Sequence, residues 1–150
     1  MRKGMLVAVL LGFVVATNAA IARGSSQGRL IVLDRSIGRV HLGESRGDVE
    51  KSLGQGTLSH GWVSYFGGRL LVDYVYKVRK TKHVQALVTG WSGFRTHSGI
   101  HAGSTGQDVR RRLQIPCGRG SCTSGAPGKP STILFTRHAK VVRVEVLYLS

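Results

Sequence analysis

One fourteen-residue pattern is written twice in this chain, and it constrains the fold more than any other feature. Val40-His41-Leu42-Gly43-Glu44-Ser45-Arg46-Gly47-Asp48-Val49-Glu50-Lys51-Ser52-Leu53 returns sixty residues later as Ile100-His101-Ala102-Gly103-Ser104-Thr105-Gly106-Gln107-Asp108-Val109-Arg110-Arg111-Arg112-Leu113. His, Gly, Asp, Val and Leu are identical in the two copies, and Val/Ile and Ser/Thr are close substitutes. Ser45 and Thr105 are residues that cap exposed helical N–H groups, and Asp48 and Asp108, three positions on, suit the positive end of a helix. Each copy therefore opens a short helix. Val49 and Leu53, like Val109 and Leu113, are four apart, share one helix face and must pack against something. Gly54 is a natural stop for the first helix.

The segment after each helix reads as β-structure. Trp62 to Phe66 and Arg69 to Val78 flank Gly67-Gly68, a two-residue hairpin signal, and a third strand, His83 to Trp91, comes after the basic turn Arg79-Lys80-Thr81-Lys82. The second half offers a Gly/Pro/Ser stretch over 123–131, then strands Thr132 to Thr136 and Lys140 to Leu149. Short helices on antiparallel strands define an α+β fold, with the helices packed on one face of the sheet. The halves, about 73 and 55 residues, are marginal alone. The expectation is a single domain over 23–150, made of pseudo-repeats at about 36–95 and 96–150.

Strand alternation places Leu70, Val72, Tyr74, Tyr76 and Val78 on one face, with Val84, Ala86 and Val88, and Val142, Val144 and Val146, inward likewise. The opposite face then presents Asp73, Lys77 and Arg79, then His83, Gln85, Thr89 and Trp91, then Arg143 and Glu145. An open face of that kind is polar, basic and edged by aromatics. A solvated sheet face is the plain alternative.

The ends and the charge bear on location. Arg2 and Lys3 precede an apolar run from Met5 to Ala16, too short for an ordinary membrane span, and Ala20-Ile21-Ala22 fits the small-x-small rule of signal peptidase. Residues 1–22 read as a signal peptide, which makes the mature protein secreted or otherwise extracytoplasmic, with no stable membrane span after cleavage. Loss of Arg2 and Lys3 leaves 20 Lys and Arg against seven acids, a formal +13. Such an excess attracts polyanions at long range. Export points to an anionic envelope polymer or an acidic protein surface, and away from nucleic acid. Cys117 and Cys122 are expected to form a local disulfide in an oxidising compartment.

Recognisable catalytic chemistry is absent from the sequence. There is no G-x-S-x-G, no H-E-x-x-H and no phosphate-binding glycine loop. His97 and His101 have a ligand-like spacing without a third ligand nearby, so neither metal nor cofactor is expected. His41 and His101 read as structural rings bonded to backbone at a turn. The candidate residues for an anionic partner are Lys77, Arg79, His83, Trp91, Arg110, Arg111, Arg112 and Arg143. The reading is a non-enzymatic binding or scaffold protein. The alternatives are an envelope-directed enzyme, joining His97 or His101 with Asp73 or Asp108, and a secreted inhibitor of another protein.

The motif also carries a resemblance. Leu42-Gly43-x-Ser45-x-x-x-Val49-x-x-x-Leu53-Gly54 and Ala102-Gly103-x-Thr105-x-x-x-Val109-x-x-x-Leu113 resemble the repeat of the beta-lactamase inhibitory protein and the related domain of small outer-membrane assembly lipoproteins of the SmpA/OmlA type. It implies one helix or a helix pair on a small antiparallel sheet whose exposed surface binds protein, with no catalytic residue attached. The chain lacks the lipid-attachment cysteine of those lipoproteins and is shorter and more basic than the inhibitory protein. Overall it is similar to small exported proteins of actinobacterial type.

Overall fold

A computed structural model describes residues 26–76 and 82–148. The leader read at residues 1–22 lies outside the described residues, as do Lys77, Val78 and Arg79. After a 3-10 turn over Ser26–Arg29 come strands β1 (Leu30–Val32), β2 (Ser36–Ile37) and β3 (Val40–His41), then helix α1 (Arg46–Leu53). Next are β4 (Thr57–Ser59), β5 (Trp62–Tyr65), β6 (Leu70–Tyr76), β7 (Lys82–Thr89) and the short β8 (Arg95–Thr96). Helix α2 (Gly106–Leu113) and strands β9 (Ser121–Thr123), β10 (Pro130–Arg137) and β11 (Lys140–Tyr148) complete an α+β architecture.

Both helices start as their first residues dictate. Ser45 and Thr105 are extended and accept from the backbone N–H of Asp48 and Asp108, while each hydroxyl donates to the same residue's carboxylate at 2.6 and 2.7 Å. The first helix stops at Gly54, whose N–H returns to the Glu50 carbonyl; the second stops at Gln114 in the left-handed region. Val49 and Val109 are fully buried, and Leu53 and Leu113 pack against the same core.

The larger sheet has seven strands in the order β4-β5-β6-β7-β11-β10-β9, all neighbours antiparallel. A smaller sheet, β3-β2-β1-β8, contains one parallel pair, β1 with β8. The seven-stranded sheet meets each helix start through two reciprocal backbone bonds. Gly43 N–H donates to Val84 O (2.8 Å) and Val84 N–H to Glu44 O (2.9 Å); Gly103 N–H donates to Val141 O (2.7 Å) and Val141 N–H to Ser104 O (2.8 Å). Gly43 and Gly103 hold φ of 82° and 105°, which a side chain would oppose.

One extra residue sits in each strand just past these bonds. Asp73 pairs with Ala86 but Tyr74 with Val84, leaving Gln85 unmatched; Phe135 pairs with Arg143 but Thr136 with Val141, leaving Val142 unmatched. A bulge of this kind shifts the alternation by one. Val84 and Leu87 thus both face inward, as do Val141 and Val144, and all four are buried.

This corrects the face assignment made from strict alternation. Leu70, Val72, Tyr74, Val84, Val144 and Val146 face the core as expected; Ala86 and Val88 are buried but lie on the other face, outside the core cluster, and Val142 is 48% exposed. Thr89, expected outside, is buried. It also ends β7 two residues early, because its hydroxyl donates to Arg69 O (2.6 Å) and accepts from Trp91 N–H (3.1 Å), turning the chain away. The hairpin at Gly67-Gly68 is wider than a two-residue turn, since Tyr65 pairs with Leu70 and Phe66, Gly67 and Gly68 all take positive φ.

Register neighbours on one face form a buried row across the large sheet: Val63, Val72, Leu87, Val146 and Thr132. Ile31, Ile37 and Val40 of the small sheet and Val49 and Val109 of the helices close over it in one cluster. Leu87 has no exposed surface and sits in the middle of that row. Leu87→Ala is expected to lower unfolding free energy by about 2–5 kcal/mol in chemical denaturation. Val142→Thr on the exposed bulge should stay within about 0.5 kcal/mol of wild type.

Candidate interaction surfaces

The core takes one face of the seven-stranded sheet; regular alternation along β6, β10 and β11 gives the other face Leu71, Ile133, Phe135 and Leu147, and the bulge in β7 adds Ala86 and Val88. The central row of that face in register is Ser64, Leu71, Val88, Glu145, Ile133 and Thr123. Flanking rows bring Asp73, Ala86 and Leu147 together on one side and Arg143 with Phe135 on the other. None of these residues belongs to the core cluster or to the hydrophobics packed against it. The centre of the face is therefore apolar, and its charged members among the described residues include Asp73, Arg143 and Glu145 and, at one end, the exposed pair Arg137 and Lys140. Arg143 Nε lies 3.0 Å from Glu145 Oε1, and its guanidinium carbon stands 4.3 Å from the Phe135 ring centroid. A cation stacked on an aromatic and paired with a carboxylate is a preorganised polar spot in an apolar field.

The basic excess lies elsewhere. Arg110, Arg111 and Arg112 are exposed on α2, which packs on the core side of the sheet. Asp108 partly offsets them, at 2.9 Å from Arg111 and 3.8 Å from Arg112, and Arg112 also donates to Ser98 O. Arg35, Arg39 and Arg95 are exposed along the small sheet.

The candidate residues read from sequence are thus dispersed. Arg143 lies on the outer sheet face and Arg110 to Arg112 on the helix side, so they share no surface, and Lys77 and Arg79 lie outside the described residues. His83 is tied down: its Nδ1 donates to Gly43 O at 2.9 Å, reinforcing the join between β7 and the turn before α1. Trp91 packs on the core with its ring edge-on to Phe94, and the guanidiniums of Arg29 and Arg69 stand over it at 5.3 and 4.7 Å. Sequence reasoning missed Leu71, Val75, Ile133, Phe135 and Leu147. The signal was present in the uninterrupted apolar runs Leu70-Leu71-Val72 and Ile133-Leu134-Phe135, which load both faces of a strand at once.

The histidines and acids of the enzyme alternative are differently engaged. His101 Nδ1 donates to Ala102 O at 2.6 Å, as a backbone-bonded structural ring would, whereas the more exposed His41 ring lies 3.8 Å from Glu44. Asp108 is held by Thr105 and the α2 arginines, and Asp73 sits on the outer sheet face. Among the described residues no histidine is hydrogen-bonded to either acid. No cluster of three or more His, Cys, Asp or Glu among them could hold a metal ion, and no helix among them is long and apolar enough to cross a membrane.

Cys117 and Cys122 form a disulfide, and it pins the passage from α2 into β9 together with backbone bonds from Gly118 to Ser121 O and from Thr123 to Pro116 O. At the far end of the molecule the Tyr65 and Tyr74 hydroxyls are 2.9 Å apart beneath Arg46, which pairs with Glu50 at 2.7 Å. Burial, then the bond to Tyr65, pushes the Tyr74 phenol far above the ordinary tyrosine range, so it remains a neutral hydrogen-bonding group. Hydrogen bonding to Arg46 from the Glu50 side holds the guanidinium firmly protonated.

Compared with family models, with curated proteins and with solved structures, the chain matches none.

These local interactions have two measurable consequences. The Ser45 hydroxyl and then Lys51 depress the Asp48 carboxyl, and the Thr105 hydroxyl and then Arg111 depress that of Asp108. A carboxyl depressed in the folded state releases its proton more readily there than in the unfolded chain. Its stabilising contribution is complete above the unfolded value of about 4 and is lost as pH falls through the folded value. The denaturation midpoint should therefore drop as pH falls below about 4, and the Asp48→Asn/Asp108→Asn double variant should show a shallower drop. Reduction of Cys117–Cys122 should lower stability by about 2 kcal/mol in denaturant titrations run with and without a thiol reductant.

Proposed function

We propose that this chain is an exported, non-enzymatic binding protein that docks an acidic protein partner on the outer face of its seven-stranded sheet. The observation that carries the reading is that face itself: Leu71, Ile133, Phe135 and Leu147, all partly exposed and outside the core cluster, surround the buried Val88, with Arg143 and Glu145 set among them. Apolar centres with a few placed polar groups suit protein recognition better than a hydrated wall polymer does. The mature +13 charge, carried mostly away from this face, would steer an acidic partner in over long range and leave the contact itself to packing.

Two copies of one unit account for the architecture under the same reading. His41 and His101 precede matched turns, Gly43 and Gly103 donate to matched strands, and Gln85 and Val142 are the unmatched residues of the two strands that adjoin at the centre of the sheet. The resemblance to the beta-lactamase inhibitory protein repeat agrees with a protein-binding sheet and favours inhibitor or scaffold over enzyme. The Cys117–Cys122 disulfide is compatible with an extracytoplasmic site of action.

The test is site-specific photocrosslinking of mature protein in an extract of its native envelope and medium, with the crosslinker at position 147 or, as control, at Lys51 on α1. The expected result is a crosslink from position 147 to an acidic protein that is absent from position 51 and abolished by Ile133→Lys. The reading is overturned if position 147 gives no such product, or if retention depends on Arg110 to Arg112 and is indifferent to Ile133→Lys. That second pattern would return the anionic-polymer reading.

A further inference from the structure

We infer that a second, separate site exists for a small amphiphilic anion, a molecule with an apolar body and one anionic headgroup. It is a cleft of about 620 Å³ between the turn leading into β1, the β2–β3 turn, the end of α1 and the β5–β6 turn. That volume falls within the range of small-ligand pockets. Its accessible apolar surface comes from Leu53 and Phe66, backed by Ile37, Leu70 and Phe94, which are at most 2% exposed and belong to the rigid core.

The polar side of the cleft has one sign. Arg29 and Arg39 line it, no Asp or Glu does, and neither arginine is ion-paired with a carboxylate among the described residues. Arg29 is positioned by cation–π contact with Trp91, itself edge-on to Phe94 of the cleft wall. Two arginines at the rim of a partly apolar cleft match a carboxylate, sulfonate or phosphate carried on a hydrocarbon or aromatic body.

Phe66 gives an independent indication. It lines the cleft while 51% exposed and holds φ of 54°, the left-handed region that a bulky side chain enters at a cost. The adjoining Gly67 and Gly68 would occupy that backbone without strain. An exposed aromatic held there at a cost, beside a concave apolar wall, fits a hydrophobic lip for a ligand body.

The site is independent of the outer sheet face, and its test is independent too. Mature protein labelled with nitrogen-15 is titrated with decanoate, with uncharged decanol and with inorganic phosphate, followed by amide shifts and calorimetry. The expected result is saturable one-to-one binding of decanoate with shifts at Gly38, Ser52 and Phe66 and none at Ile133 or Leu147. Decanol and phosphate should each bind at least about tenfold more weakly, and Arg29→Gln/Arg39→Gln should weaken decanoate by about tenfold or more while amide dispersion stays native. Phe66→Gly, which relieves the backbone, should raise stability and weaken decanoate. Ile133→Lys should leave decanoate binding intact. Equal binding of decanol and decanoate, non-saturable binding, shifts centred on the outer sheet face, or indifference to the arginine pair would each overturn the inference.

Discussion

Four backbone hydrogen bonds and the two bulges beside them govern this molecule. The bonds of Gly43 and Glu44 to Val84, and of Gly103 and Ser104 to Val141, lock the start of each helix onto a strand of the large sheet. Because the helix begins two residues later, the anchoring fixes where Val49 and Val109 meet the core. The strand must then satisfy two demands, bonding the turn at one end and burying its apolar residues farther on. An unmatched Gln85 or Val142 reconciles them by letting residues three apart both point inward.

The same device acts on the outside. A one-residue shift exchanges the faces of everything beyond it, so Ala86 and Val88 turn outward and Leu87 and Thr89 turn inward. On β7 the outer face thereby exchanges Leu87 and Thr89 for Ala86 and Val88, while on β11 Arg143 and Glu145 keep the outward places that alternation gives them. Most other cationic side chains among the described residues lie on the helices, the small sheet and the turns, where water can solvate them.

Most of the ionisable groups with a hydrogen-bond or ion-pair partner among the described residues serve local structure. Asp48 and Asp108 secure helix starts, Glu50 anchors Arg46, and Glu145 restrains Arg143, so these acids serve local structure. His83 and His101 are committed through Nδ1 to backbone carbonyls. The cleft at Arg29 and Arg39 differs because its two arginines line a partly apolar wall without a carboxylate in attendance.

The sequence by itself determined both helices, their caps, the stop at Gly54, the disulfide and the main long strands, because each depends on neighbours a few residues away. Two- and three-residue strands such as β1, β3 and β8 were not legible, since they have too few positions to show a period and exist only through their partners. Alternation placed Val84, Val144 and Val146 inward and Arg143 and Glu145 outward, and tertiary structure alone decided the faces of Ala86, Leu87, Val88 and Thr89 and the exposure of Val142. A bulge leaves no local mark at Gln85 or Val142; it arises where pairing to a distant turn and burial against a distant helix cannot both be met by regular alternation. The presence of Ala86 and Val88 on the outer face results from that long-range compromise, which no window of sequence contains, whereas Leu71, Ile133 and Phe135 were written into apolar runs that load both faces of a strand.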